Sequence, residues 1–351
     1  MQNQEPYAHD WKSHIRKRPA MYIGNLRLNG FTQLLENLFQ DILKNCAGNQ
    51  TFDIEFYPQN RLIIKITGID TQQFILELEK LKKTDETIIN IGLAVLISLS
   101  SDIAIAVNYL SDLILLNGQK GDFEITTSIS HTHKDSIKIE FIPDKDILKE
   151  LELVYEHTNS FLRQFAFLNP DLKIISTDKT TGELQRNIFC YPTGVFKQLD
   201  YFVSKESYGT NSMLVKIDAK INKYSYKIGI SYSTFWPDKS CIKTYAGNVE
   251  TFLGGSFNDG ILEGLLLSIK EIAQKQHVEI IINRKLLKEQ LIIVAAVTGD
   301  EFIFHGSIKR KLGMPGLKKD VKHLVYERLT EYFDSNPEAT KKILHKFKRW
   351  E

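Results

Sequence analysis

Between Gly30 and Lys44 apolar residues recur every three or four positions, at Phe31, Leu34, Leu35, Leu38, Phe39, Ile42 and Leu43. That period predicts one helix with a single buried stripe. Strand-like alternation follows at once in FDIEFYP and RLIIKITG, and the PQN between them predicts a hairpin. Helical and strand signals stay mixed from there on. TQQFILELEKLKKTDE reads as a charged helix and NIGLAVLISLSS as a buried one. Strands are expected in DIAIAVNYL, in DLILLNGQKGDFEITTSIS and in SIKIEFIP. DKDILKELELVYEHTNSFLRQFAFLN has helical period, and LKIISTDKTTGELQRNIFCYP reads as a hairpin around TTGE.

The pattern restarts near Val203. NSMLVKIDAKINKYSYKIGISYS gives further strands, and the Gly-rich NVETFLGGS feeds the helix NDGILEGLLLSIKEIAQKQ. LLKEQLIIVAAVTG reads as a strand. LKKDVKHLVYERLTEYFDSNPEATKKILHKFKRW reads as a long amphipathic helical tail. At 351 residues the chain exceeds the usual single-domain size. Two consecutive α+β domains are therefore expected, with a boundary near residues 200–210.

The 45 Lys and Arg nearly balance the 43 Asp and Glu, so a protein whose main task is coating nucleic acid is not indicated. Cys46, Cys190 and Cys241 form no CxxC pair, which argues against a disulfide framework or zinc site and for a reducing compartment. The polar start MQNQEPYAHDWKSH lacks a signal-peptide core, and no apolar run reaches membrane-spanning length. A cytoplasmic protein without membrane contact is expected. No HExxH, GxSxG or Walker A motif is present. His131 and His133, two apart, are a weak metal candidate, and the basic, aromatic KKILHKFKRW a weak nucleic-acid one.

The run HIRKRPAMYIG, residues 14–24, followed by the Gly-led helix and the hairpin, resembles the opening of the family of DNA gyrase B and its topoisomerase IV counterpart. Residues 161–202, the segment TYAGNVETFLGGSFNDGILEGL, and the stretches LLKEQLIIVAAVTGDEFIFHGSIKRKLG and YERLTEYFDSNPE resemble later family segments in family order. The resemblance spans nearly the whole chain. It implies a GHKL (Bergerat-type) ATPase sandwich over residues 1–202, with a shortened lid. A transducer domain of the ribosomal S5 domain 2-like fold would follow over 203–351 with a C-terminal exit helix. The TOPRIM and DNA-gate portions are expected to be lacking.

By the same resemblance, the family uses a helix carboxylate as general base for the water that attacks ATP, and an asparagine one turn later for Mg²⁺. Matching the apolar stripes puts Asn37 at the base position and Asp41 at the magnesium position. An amide cannot take a proton from water, and losing such a base costs about 10²–10⁴-fold in rate. A rival register uses Glu36 and Gln40, at the cost of moving the apolar stripe off its counterpart. Thr67 falls where the family's adenine-binding aspartate stands, and Gly68 is kept; the plainer reading is a strand ending in a Gly turn. Ser136 or Ile137 falls at the family's adenine-side threonine. From Gly68 to Gly92 the 23 intervening residues contain no glycine, and Ile89, Asn90 and Ile91 precede Gly92 where a phosphate-cradling lid is expected. Lys309 falls on the transducer lysine that reaches the γ-phosphate in the family, beside Ser307 in place of a glutamine; in a run with Arg310 and Lys311 it also reads as a plain basic patch.

The expectation is a pseudo-ATPase acting as a dimerisation or binding module, with ATP and Mg²⁺ implied by resemblance and their residues largely lost. One alternative is an ATP-hydrolysing topoisomerase subunit working through Glu36 and Lys309. Another is a partner- or nucleic-acid-binding protein with no nucleotide site. The resemblance also implies a homodimer, a topoisomerase subunit or DNA as possible partners, and an N-terminal arm whose Tyr7 and Trp11 anchor on a second copy.

Overall fold

The structure is a computed structural model that describes residues 11–44, 46, 48–82, 91–130, 132, 134–206, 213–232, 240–305 and 310–348. The chain forms two compact units, divided between Pro192 and Thr193.

The first unit opens with two short helices, α1 (Trp11–Lys17) and α2 (Ala20–Ile23), and the long helix α3 (Leu28–Leu43). A hairpin of β1 (Gln50–Tyr57) and β2 (Arg61–Thr67) leads to α4 (Thr71–Lys80) and α5 (Ile91–Leu99). Next come β3 (Ser100–Tyr109), β4 (Asp112–Gln119), β5 (Asp122–Ile129) and β6 (Ser136–Pro143). Helix α6 (Tyr155–Leu168) and the hairpin β7 (Leu172–Asp178) and β8 (Gln185–Phe189) close the unit. The eight strands lie in the order β5-β4-β3-β6-β2-β1-β7-β8, parallel between β1 and β7 and antiparallel elsewhere.

The α3 stripe is buried as its spacing demands: Phe31, Leu34, Leu35, Leu38 and Phe39 join Phe52, Ile54, Ile64 and Ile66 of β1 and β2 in one core. Helix α5 is buried on every side from Gly92 to Leu99 and packs against α3 and α1. A helix apolar all round belongs in such an interior. Trp11, expected on a partner, is instead buried in this core with its ring 6.5 Å from that of Phe123. An indole this apolar is stabilised by burial wherever it finds a wall, and β5 supplies one in its own chain.

The helix expected from Asp144 onward begins eleven residues later, at Tyr155. Asn60 prevents it. Its side chain donates to the Leu151 carbonyl at 3.0 Å and accepts from the Leu153 N–H at 3.2 Å, claiming backbone groups that a helix would need.

The second unit begins with α7 (Val195–Glu206), then β9 (Met213–Ile221), β10 (Tyr224–Tyr232), β11 (Cys241–Ala246) and β12 (Val249–Glu250). It continues through α8 (Ser256–Lys275), α9 (Arg284–Lys288), β13 (Leu291–Thr298), α10 (Pro315–Ser335) and α11 (Pro337–Phe347). Its five strands run β12-β11-β13-β10-β9. Helix α7, expected on the first-domain side of a boundary at 202, packs on β10 and β13 of this sheet. Gly229 makes room for it, since a Cβ there would come within 2.7 Å of Leu199. On α8, Gly260 and Gly264 admit α10 so closely that a Cβ would meet the Lys318 and Lys322 carbonyls at 2.8 and 2.6 Å. The expected continuous tail is two helices, broken at Asn336, where the backbone is non-helical and Pro337 starts α11.

Three tyrosines of this unit lie fully buried: Tyr226, Tyr232 and Tyr245. The Tyr232 hydroxyl donates to the Leu287 carbonyl and that of Tyr245 accepts from Gln198, whereas that of Tyr226 meets no partner among the described residues. Burial, aided by the negative charge of Asp320, pushes the Tyr226 phenol up to about 12. Its folded value is raised above the unfolded one, so its contribution is present below pH ~10 and lost as pH climbs towards 12. Tyr226→Phe deletes an unpaired buried hydroxyl. It is expected to leave stability at pH 7 unchanged or raised by about 1 kcal/mol, and to flatten the loss above pH ~10. Denaturant melts at neutral and alkaline pH measure both.

Candidate functional site

The most specific stretch of the sequence, residues 14–24, folds into a brace rather than an open site. Arg16 donates one guanidinium nitrogen to the Ser98 carbonyl at 2.7 Å and the other to Asp144 at 2.6 Å, tying α1 to the end of α5. The Asp144 side chain is 2% exposed, and its backbone N–H donates to the Leu99 carbonyl at 2.8 Å. His14 and the Tyr22 hydroxyl lie 2.7 Å apart. Gly24 takes a positive φ of 76°, and Asn25 Oδ1 then accepts the N–H groups of Arg27 and Gly30 at the start of α3.

On α3, Asn37 is tied at both ends of its amide. Its Oδ1 accepts from Gln33 at 3.0 Å and its Nδ2 donates to the Tyr22 carbonyl at 3.3 Å. One turn on, Asp41 Oδ2 accepts the Gly92 N–H at 2.7 Å, and its other oxygen pairs with Lys44. A carboxylate there complements the positive end of α5 and satisfies one of its unpaired amides. The two helices touch backbone to backbone: a Cβ on Gly92 would stand 2.5 Å from the Asn37 carbonyl carbon. The side of α3 that meets α5 thus carries Asn37 and Asp41. Glu36 accepts from Gln40 at 2.9 Å along the helix.

Thr67 closes β2 opposite Thr51, and Gly68 turns the chain at φ 80°, with a Cβ there falling 2.3 Å from the Asn49 carbonyl oxygen. Asp70 then caps α4, accepting from the Gln73 N–H at 2.9 Å. Helix α4 folds back so that Phe74 and Leu78 join the core. Asp41, Ile42, Cys46, Ile69, Asp70, Gln73, Phe74 and Glu77 enclose a cavity of about 20 Å³. That is room for one water, against roughly 300 Å³ or more for small-molecule sites. Burial pushes the Cys46 thiol up, so it is no reactive nucleophile. Larger hollows of about 610 and 830 Å³ lie elsewhere, the first beside Asp102 and Glu140, the second beside Arg27 and Glu150. Neither is lined by Asn37, Asp41 or Thr67.

The structure therefore brings Asn37, Asp41 and Gly92 together, with Thr67 and Gly68 at the turn into the neighbouring α4. Ser136 accepts from Asn108 at 3.2 Å in β6. Lys309, Ser307, His131, His133, Tyr7, Ile89 and Asn90 lie outside the described residues. Among the described residues no group of three or more His, Cys, Asp and Glu is placed to hold a metal, and no helix is long and apolar enough to cross a membrane. Among the described residues the groups at this place do not fit a magnesium triphosphate: the amide at the base position is tied at both ends, the carboxylate beside it is committed to Gly92 and Lys44, and the cavity they border is small.

A family described as DNA gyrase B matches residues 195–350. The DNA gyrase B protein of Borreliella burgdorferi is 26% identical to the chain, over 95% of its length and 56% of the relative's. The chain is similar to gyrase B proteins over nearly its whole length. The B-type subunit of the type 2 topoisomerase of Aquifex aeolicus is 22% identical over 95% of the chain and 45% of its own length. The chain spans about half the length of these relatives. The gyrase B structure from Myxococcus xanthus aligns with TM-score 0.80 at 16% identity, covering 95% of this chain and 99% of that one. The 43K ATPase domain of Thermus thermophilus gyrase B, solved with an aminocoumarin, aligns with TM-score 0.75 at 20% identity, covering 95% and 93%. The α+β fold expected from the sequence, a GHKL ATPase sandwich followed by a transducer, is the fold of these gyrase B structures.

Asp41 as the cap of α5 was not legible from sequence, because its partner lies 51 residues away. Arg16 lies inside the run HIRKRPAMYIG, but its buried partner Asp144 is 128 residues away and carries no local signal.

Proposed function

We propose that this gyrase B-like chain is a pseudo-ATPase, a nucleotide-independent binding or dimerisation module that works beside a topoisomerase. The observation that carries this reading is the Asp41 carboxylate on the Gly92 N–H. An anion of the chain itself stands at the helix end that would otherwise be open to a phosphate. The closed space under α4 and the amide at position 37 support it further.

Steady-state ATP hydrolysis in the presence of Mg²⁺ is the test. No turnover above buffer is expected, and Asn37→Glu alone is expected not to create any, because a base is useless without room for its substrate. Turnover by the unaltered protein that disappears in Glu36→Gln would instead establish an ATP-hydrolysing subunit.

A further inference from the structure

Strand β5 ends the first sheet, bonded among the described strands to β4 alone. Ser130 N–H donates to the Ser111 carbonyl at 2.8 Å, which fixes the phase of the ladder. The even-numbered residues 122–128 therefore bond to β4, and the backbone groups of Phe123, Ile125, Thr127 and Ile129 point outward. Other edges are guarded against pairing. Exposed Arg186 stands on β8, and exposed Lys216 and Lys220 stand on β9. From Phe123 to Ile129 there is no lysine, arginine, proline or glycine. Ile129, at 75%, is the most exposed large apolar residue among those described.

We propose that β5 pairs antiparallel with β5 of a second copy of this chain, about a two-fold axis passing between the two Thr126 residues. The outward-pointing residues then meet each other, Ile125 with Thr127 and Phe123 with Ile129 of the second copy, as the hydrogen-bonded pairs of the new ladder. On the opposite face Thr126 meets Thr126, Glu124 meets Ser128, and Asp122 meets Ser130. No like charges stand opposite one another, and aromatic–β-branched and Thr–Thr pairs are among the favourable ones. Ile129 of the second copy comes to rest on the Phe123 ring, whose own chain already places Trp11 at 6.5 Å and Lys12 at 4.8 Å.

The proposal rests on the reading that association needs no nucleotide. Sedimentation of the full chain without nucleotide is expected to show a dimer. Thr126→Glu, which sets two carboxylates face to face across the axis, is expected to weaken that dimer about tenfold or more. The residue is exposed, so the monomer fold is untouched. In a Cys190→Ser background, Thr126→Cys is expected to form an intermolecular disulfide on mild oxidation, while Ser128→Cys, which faces Glu124, does not. A monomer at about 100 µM overturns the inference, as does equal cross-linking of the two cysteine variants. A nucleotide-free dimer indifferent to Thr126→Glu overturns this edge and leaves the proposed function standing. A dimer that forms only with ATP overturns the proposed function itself.

Discussion

Replacing Arg16 by alanine is expected to destabilise the first unit by about 3–5 kcal/mol, the range for removing one partner of a buried ion pair. The Asp144 side chain is 2% exposed and would be left charged without its guanidinium, while the Ser98 carbonyl at the end of α5 loses its donor. Arg16→Lys should recover part of the loss but not all, because one ammonium cannot span both acceptors as the planar fork does. Asp144→Asn should cost less than Arg16→Ala, since the side chain of Arg16 is 23% exposed and its charge can turn to water. Denaturant melts of the three variants measure the ranking. A loss below about 1 kcal/mol for Arg16→Ala would mean that the pair behaves as a surface bridge.

Gly92→Ala is the second large effect. The added methyl would stand 2.5 Å from the Asn37 carbonyl carbon and 2.6 Å from the Leu38 nitrogen, so two helix backbones have to part. Overpacking costs about 1–3 kcal/mol where side chains can give, and the upper end applies where backbone is the obstacle. The separation would also stretch the bond from Gly92 to Asp41. Faster amide exchange along α5, with the second unit unchanged, is the expected signature. Wild-type stability and exchange would contradict the close approach.

Much of the fold could be read from residues near one another in sequence. The α3 stripe and the β1–β2 hairpin are local patterns, and the stripe from Phe31 to Ile42 is buried where the period puts it, with Leu43 half-buried at its end. What failed depends on distant partners. Asn60 takes the backbone of Leu151 and Leu153 from across the unit, so a stretch with helical period forms turns and no helix before Tyr155. Leu199 needs the bare Gly229 to seat α7 on the second sheet. The site follows the same rule. Asn37 could be read as an amide in place of a base, but the Asp41 contact and the fill from Phe74 and Glu77 arise only when α5 and α4 pack on α3.

The proposed function requires that this gyrase B-like fold leave no room for a triphosphate beside Asp41 and Gly92. Calorimetric titration of the purified chain with ATP and Mg²⁺ tests it most directly. No heat of binding up to about 1 mM nucleotide, from protein that melts cooperatively, is the predicted result. Binding near 1 µM would contradict it, because a triphosphate could enter only if Asp41 released Gly92 and α4 moved away.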